Sequence, residues 1–105
     1  MSPIIVDFDA IPWTAPMPNV RFKVYKEGGR QIRLVEFSQG FVEPDWCPRG
    51  HIGYVLEGSG RLQFEHSECA ASAGDGIFIP AGGEHKHRLT VLSKVLRVVL
   101  VEDAP

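Results

Sequence analysis

Apolar and polar positions alternate along residues 20–25 and again along 32–37, with Glu27-Gly28-Gly29-Arg30 between the two runs. A period of two puts the apolar side chains on one face of a strand, and a glycine pair suits a tight reversal, so this region predicts a β-hairpin. A second strand pair is expected from residues 54–57 and 61–65, around Gly58-Ser59-Gly60. Further strands are expected at 77–79, 85–90 and 95–101. Turn signals recur about every ten residues, and no segment sustains a helical period. Many short strands separated by glycine and proline turns point to an all-β sandwich or barrel.

The N-terminal segment breaks this pattern. Pro3, Pro12, Pro16 and Pro18 exclude a continuous helix over residues 1–19 and disfavour a central strand. The expectation is an extended proline-rich arm over 1–19 with a short edge strand at 4–6, followed by a β-barrel domain over 20–105. Trp13 either packs the arm on its own domain or anchors it to a second subunit.

Composition narrows the class. A chain of 105 residues with 44% apolar and 23% charged residues is one ordinary globular domain with room for one core. The net charge of -2 supplies no broad attraction to nucleic acid or to an anionic membrane. The longest apolar runs, 98–101 and 77–79, are far too short to span a bilayer as a helix. With no secretory pattern and only two cysteines, a cytoplasmic location is expected, with no nucleic-acid or membrane partner.

The candidate chemistry starts at Gly74-Asp75-Gly76-Ile77-Phe78-Ile79-Pro80-Ala81-Gly82-Gly83-Glu84-His85. This reads as turn, short buried strand, second turn and a histidine at the mouth of the β-structure. If the next strand begins at His85, His87 shares its face. His51, Cys47 and Asp45 share one parity in an unbroken strand and would then converge with His85. Imidazole, thiolate and carboxylate together suit zinc, iron, nickel or manganese. Pro48 stands against that parity, because it requires a bulge or an edge. Cys47 is equally readable as a small buried hydrophobe, or as a partner for Cys69 in a disulfide that cytosolic reduction opposes. His87 is a ligand or a pocket-lining residue, and Asp45 reads as a turn residue between Pro44 and Trp46. Glu57 and Glu84 are candidate acid–base groups, provided either faces inward; the alternative is a solvated carboxylate at a turn edge.

Gly74, then five residues, Pro80, one residue, Gly82, two residues and His85 resembles the second motif of the cupin superfamily. Leu89 stands where that motif ends in asparagine. Tyr54-Val55-Leu56-Glu57-Gly58-Ser59-Gly60 is similar to the end of the first motif. The resemblance implies a single-domain jelly-roll β-barrel, a bound divalent metal and a homodimer. In the first motif, Asp45 and Cys47 fall at the two histidine positions and His51 at the glutamate position, so only His85 carries over residue for residue as a ligand. The resemblance transfers no defined activity.

The functional expectation is a small cupin that holds a divalent metal inside the barrel through His51, His85, Cys47 and His87. It binds or acts on a small polar molecule, an organic acid or sugar derivative. The alternative is a binding barrel without catalysis, either metal-free or with a structural metal.

Overall fold

The computed structural model describes residues 4–105. Its nine strands are β1 (Thr14–Met17), β2 (Val20–Glu27), β3 (Arg30–Ser38), β4 (His51–Glu57), β5 (Ser59–Phe64), β6 (Glu68–Ser72), β7 (Gly76–Ile79), β8 (His87–Val91) and β9 (Val95–Asp103). They form a six-stranded sheet in the order β1-β2-β3-β9-β4-β7 and a three-stranded sheet in the order β6-β5-β8, with every pairing antiparallel. This is the expected all-β jelly roll. Among the described residues, no helix is long and apolar enough to cross a membrane.

The first hairpin forms as its alternation predicts, with Glu27 opposite Arg30 across the two-glycine turn. The second does not. β4 pairs with β7 and β9 in the larger sheet, whereas β5 pairs with β6 and β8 in the smaller one. Gly58 is the corner at which the chain changes sheets. Its φ is 82°, and a Cβ there would stand 1.9 Å from the carbonyl oxygen of Val95. Only glycine fits both the backbone conformation and the close approach.

The N-terminal segment also differs from expectation. Residues 4–6 form no strand, and the edge strand lies later, at β1, where Pro16 needs no ladder partner on one side. Before it, a 3₁₀ turn at Phe8–Ala10 accepts a 2.8 Å hydrogen bond from Lys23 Nζ at the Phe8 carbonyl. Trp13 lies under Arg21 and Lys23, at 4.1 and 4.8 Å from the ring centre. The arm thus packs on its own barrel.

The core sits between the sheets. Val35, Val55, Leu96 and Val98 are each under 5% exposed, and Phe41, Val91 and Leu100 close around them. β9 shows the alternation most plainly, burying Leu96, Val98, Leu100 and Glu102 in turn. The opposite face of the large sheet leaves Ile52, Tyr54, Leu56 and Phe78 exposed to solvent.

Candidate metal centre

Three of the sequence-predicted ligands meet. The donor atoms of Cys47, His51 and His87 all lie within 4.8 Å of one another. Three backbone features bring them together. His51 opens β4 and His87 opens β8, the two strands lying in different sheets. Cys47 lies in the connecting segment and forms a single antiparallel bridge with His87, through hydrogen bonds of 2.8 Å (Cys47 N–H to His87 O) and 3.0 Å (His87 N–H to Cys47 O). Pro48 follows that bridge and ends the pairing, since it has no N–H to extend the ladder.

Both imidazoles are held from behind. His51 Nδ1 donates to Glu102 Oε2 at 2.5 Å, and His87 Nδ1 donates to the His85 carbonyl at 3.1 Å. A carboxylate and a carbonyl can only accept, so each ring carries a proton on Nδ1 and turns Nε2 toward the sulfur. Cys47 Sγ is 3.7 Å from His51 Nε2, and the two rings stand edge to face at 5.1 Å.

The electrostatics match this arrangement. Hydrogen bonds from His51 and then His87 outweigh burial and lower the Cys47 thiol to about 5. Burial opposes charge on His51, but its bonds to Cys47 and Glu102 prevail and raise it to about 9. The same competition, won by Cys47 and the His85 carbonyl, raises His87 above its ordinary value. Without an ion the cluster is a thiolate beside imidazolium, and its charges are mutually satisfied. One thiolate and two oriented imidazoles are also an established donor set for a divalent transition metal, so the residues fit the group that the fold implies.

Glu102 holds this arrangement from behind and lies one residue beyond the strand that the sequence predicts. Its side chain is fully buried, accepts 2.7 Å from Gln31 Nε2, and is in direct contact with the Arg33 guanidinium. Burial favours its neutral form, but His51 and Arg33 overcome this and lower it to about 2. β9 runs to Asp103, two residues beyond the strand expected at 95–101. Continuing the apolar alternation 96, 98, 100 would have placed a carboxylate inside the barrel. Glu43 is the second omission. Burial raises its carboxyl above the usual range, the Leu89 N–H anchors it at 3.0 Å, and it lines the cavity beside Cys47.

The remaining candidates lie elsewhere. His85 ends a 3₁₀ turn at Gly83–His85, so it is not in register with His87; its side chain is 41% exposed and sits 3.7 Å from Glu84. Glu84 itself is 82% exposed. A bulge between Val55 and Glu57 turns Glu57 to the outer face, where it pairs with Arg97 at 3.5 Å. Asp45 is exposed at a bend, on the cavity wall but outside the donor cluster. Cys47 and Cys69 are both free, which removes the disulfide reading.

The cluster borders a solvent-open cavity of about 470 Å³, which Cys47, His51 and Glu43 line together with Phe37, Phe41 and Leu96. Sequence comparison adds the family: the cupin domain matches residues 24–102. The chain belongs to the cupin family. Among curated proteins, none matches it. Solved structures support the cupin fold. KdgF from Halomonas sp. is similar at 23% identity and a TM-score of 0.74, covering 92% of each chain. An RmlC-like cupin from Shewanella frigidimarina is similar at 13% identity and a TM-score of 0.78, over 99% of this chain and 93% of its own. Apo-HppE matches at 14% identity and a TM-score of 0.74, over 94% of this cupin and 57% of its own chain. At these identities the likeness concerns fold.

Proposed function

We propose that this cupin holds a divalent metal ion at Cys47, His51 and His87 and binds or acts on a small organic acid at the ion's open position. The observation that carries the reading is the convergence of those three donors within 4.8 Å beside a cavity that Cys47 and His51 line. The sulfur and imidazole set suits zinc, iron or nickel better than manganese, which prefers oxygen donors. When bound, such an ion supplies Lewis acidity toward a ligand oxygen. His51 and His87 present Nε2, Glu102 and the His85 carbonyl hold the rings, and the apolar walls exclude water. Glu43, rather than Glu57 or Glu84, is a half-buried carboxyl on the cavity wall and is suited to holding a proton there.

A homodimer belongs to the same reading, supported by the exposed Ile52, Tyr54, Leu56 and Phe78 on the outer sheet face; sedimentation velocity at several concentrations tests it.

Elemental mass spectrometry on untagged protein, purified without chelator or nickel resin, tests the metal. Near-stoichiometric ion is expected. Protein that takes up no divalent ion, even on addition, overturns the reading. That result would favour a metal-free binding barrel, which the self-satisfied thiolate–imidazolium pair supports.

A further inference from the structure

The cavity is chemically lopsided. Its polar side chains are Arg33, Glu43, Asp45, Cys47, Arg49 and His51. All but Arg33 come from one short segment, and Arg33 joins them through Glu102, which it shares with His51. The opposite walls are Val35, Phe37, Phe41, Leu89, Leu96 and Val98. These walls belong largely to strands whose backbone groups already bond across the sheets, from β3 to β9 and from β5 to β8. They have almost nothing to offer a hydroxyl.

We propose that the ligand of this cavity is an amphiphilic organic monoanion, with a carboxylate-type head at the Cys47–His51 end and an apolar body against Phe37, Phe41 and Leu96. This rests on the metal reading for the head and on the walls alone for the body. A divalent ion set against one thiolate, with Arg33 offset by Glu102 and the lining residues Arg49 and Asp45 of opposite charge, keeps positive charge at its own position for an anionic oxygen. A polyhydroxylated acid such as a uronate brings a ring of hydroxyls, and each one buried against these walls loses its water without gaining a partner. An alkyl or aryl body loses nothing polar and gains burial. The cavity volume of about 470 Å³ is ample for a small molecule of this kind.

The test is isothermal titration calorimetry with octanoate, octan-1-ol and glucuronate, on metal-loaded and on metal-free protein, with metal content measured on each sample. On the loaded protein, octanoate is expected to bind one site at least about tenfold tighter than either competitor, with a negative heat-capacity change. On the metal-free protein, the preference of octanoate over octan-1-ol is expected to vanish while both still exceed glucuronate. Glucuronate binding as tightly as octanoate, or no octanoate binding at all, overturns the proposal. Octan-1-ol equal to octanoate on loaded protein overturns the anionic head. A sample that takes up no ion removes the metal reading and the head with it. The apolar body is then judged alone, supported by octan-1-ol exceeding glucuronate and overturned by the reverse.

Discussion

His85 and His87 are two residues apart, yet they occupy different chemical worlds. His85 ends the 3₁₀ turn at Gly83–His85 and shares solvent with Glu84, whereas His87 begins β8, is 3% exposed and faces Cys47. The motif spacing favours the first and the backbone selects the second. Hydrogen bonds from His85 N–H to Gly82 O and from Lys86 N–H to Gly83 O tighten the chain there, so the period of two begins only at 87. A motif fixes where a turn lies; the ladder beyond it decides which side chain enters the barrel.

The contrast breaks most directly on metal affinity. Cobalt titration of Cys47→Ala, His51→Ala and His87→Ala is expected to show losses above about a hundredfold, larger than an outer-shell change produces. His85→Ala should stay within about threefold of the parent. If His85→Ala matches His87→Ala, the turn rearranges to bring His85 in, and the comparison collapses.

Glu102→Ala should come next. It leaves Arg33 and His51 without their shared carboxylate, and urea unfolding is expected to register a loss of about 3–5 kcal/mol, as for other broken buried pairs. Glu102→Gln keeps the size but removes the charge. It should weaken cobalt binding by about 10–100-fold while circular dichroism keeps the parent signature.

The acid limb sharpens the role of Glu102. Its pKa falls from 4.5 unfolded to about 2 folded, so its contribution to stability is complete above pH 4.5 and lost as pH drops toward 2. Urea midpoints of the parent, measured across that window, should therefore decline more steeply than those of Glu102→Gln. Parallel curves would show that the carboxylate is not held as described.

Glu57→Gln marks the small end of the scale. The Arg97 pair is on the surface, with Glu57 54% exposed, so a change within about 1 kcal/mol and unaltered metal affinity are expected. A large loss of affinity would place Glu57 inside after all.

Much of the fold was legible in the chain because alternation and turn residues act locally. The 20–25 and 32–37 strands and their two-glycine turn follow from nearest neighbours alone. The sheet change at Gly58 does not, because it depends on which strands β4 and β5 find as partners, and the Val95 carbonyl that requires glycine there is far along the sequence. Cys47, His51 and His87 were identifiable as metal-ligand types, but their convergence depends on a bridge beside Pro48 that no periodicity announces. Glu102 was within reach, one step past a strand drawn too short. Glu43 left almost no signal: a carboxylate between Val42 and Pro44 looks like any other loop acid.

The Cys47–His87 bridge has a kinetic consequence. Two backbone hydrogen bonds hold sulfur and imidazole side by side as part of the folded barrel, so the entropy of gathering those donors is lost during folding. A divalent ion binding there would meet a finished scaffold. Its rate of capture would then be governed by how quickly it sheds water and displaces a proton, not by rearrangement of the Cys47–His87 pair.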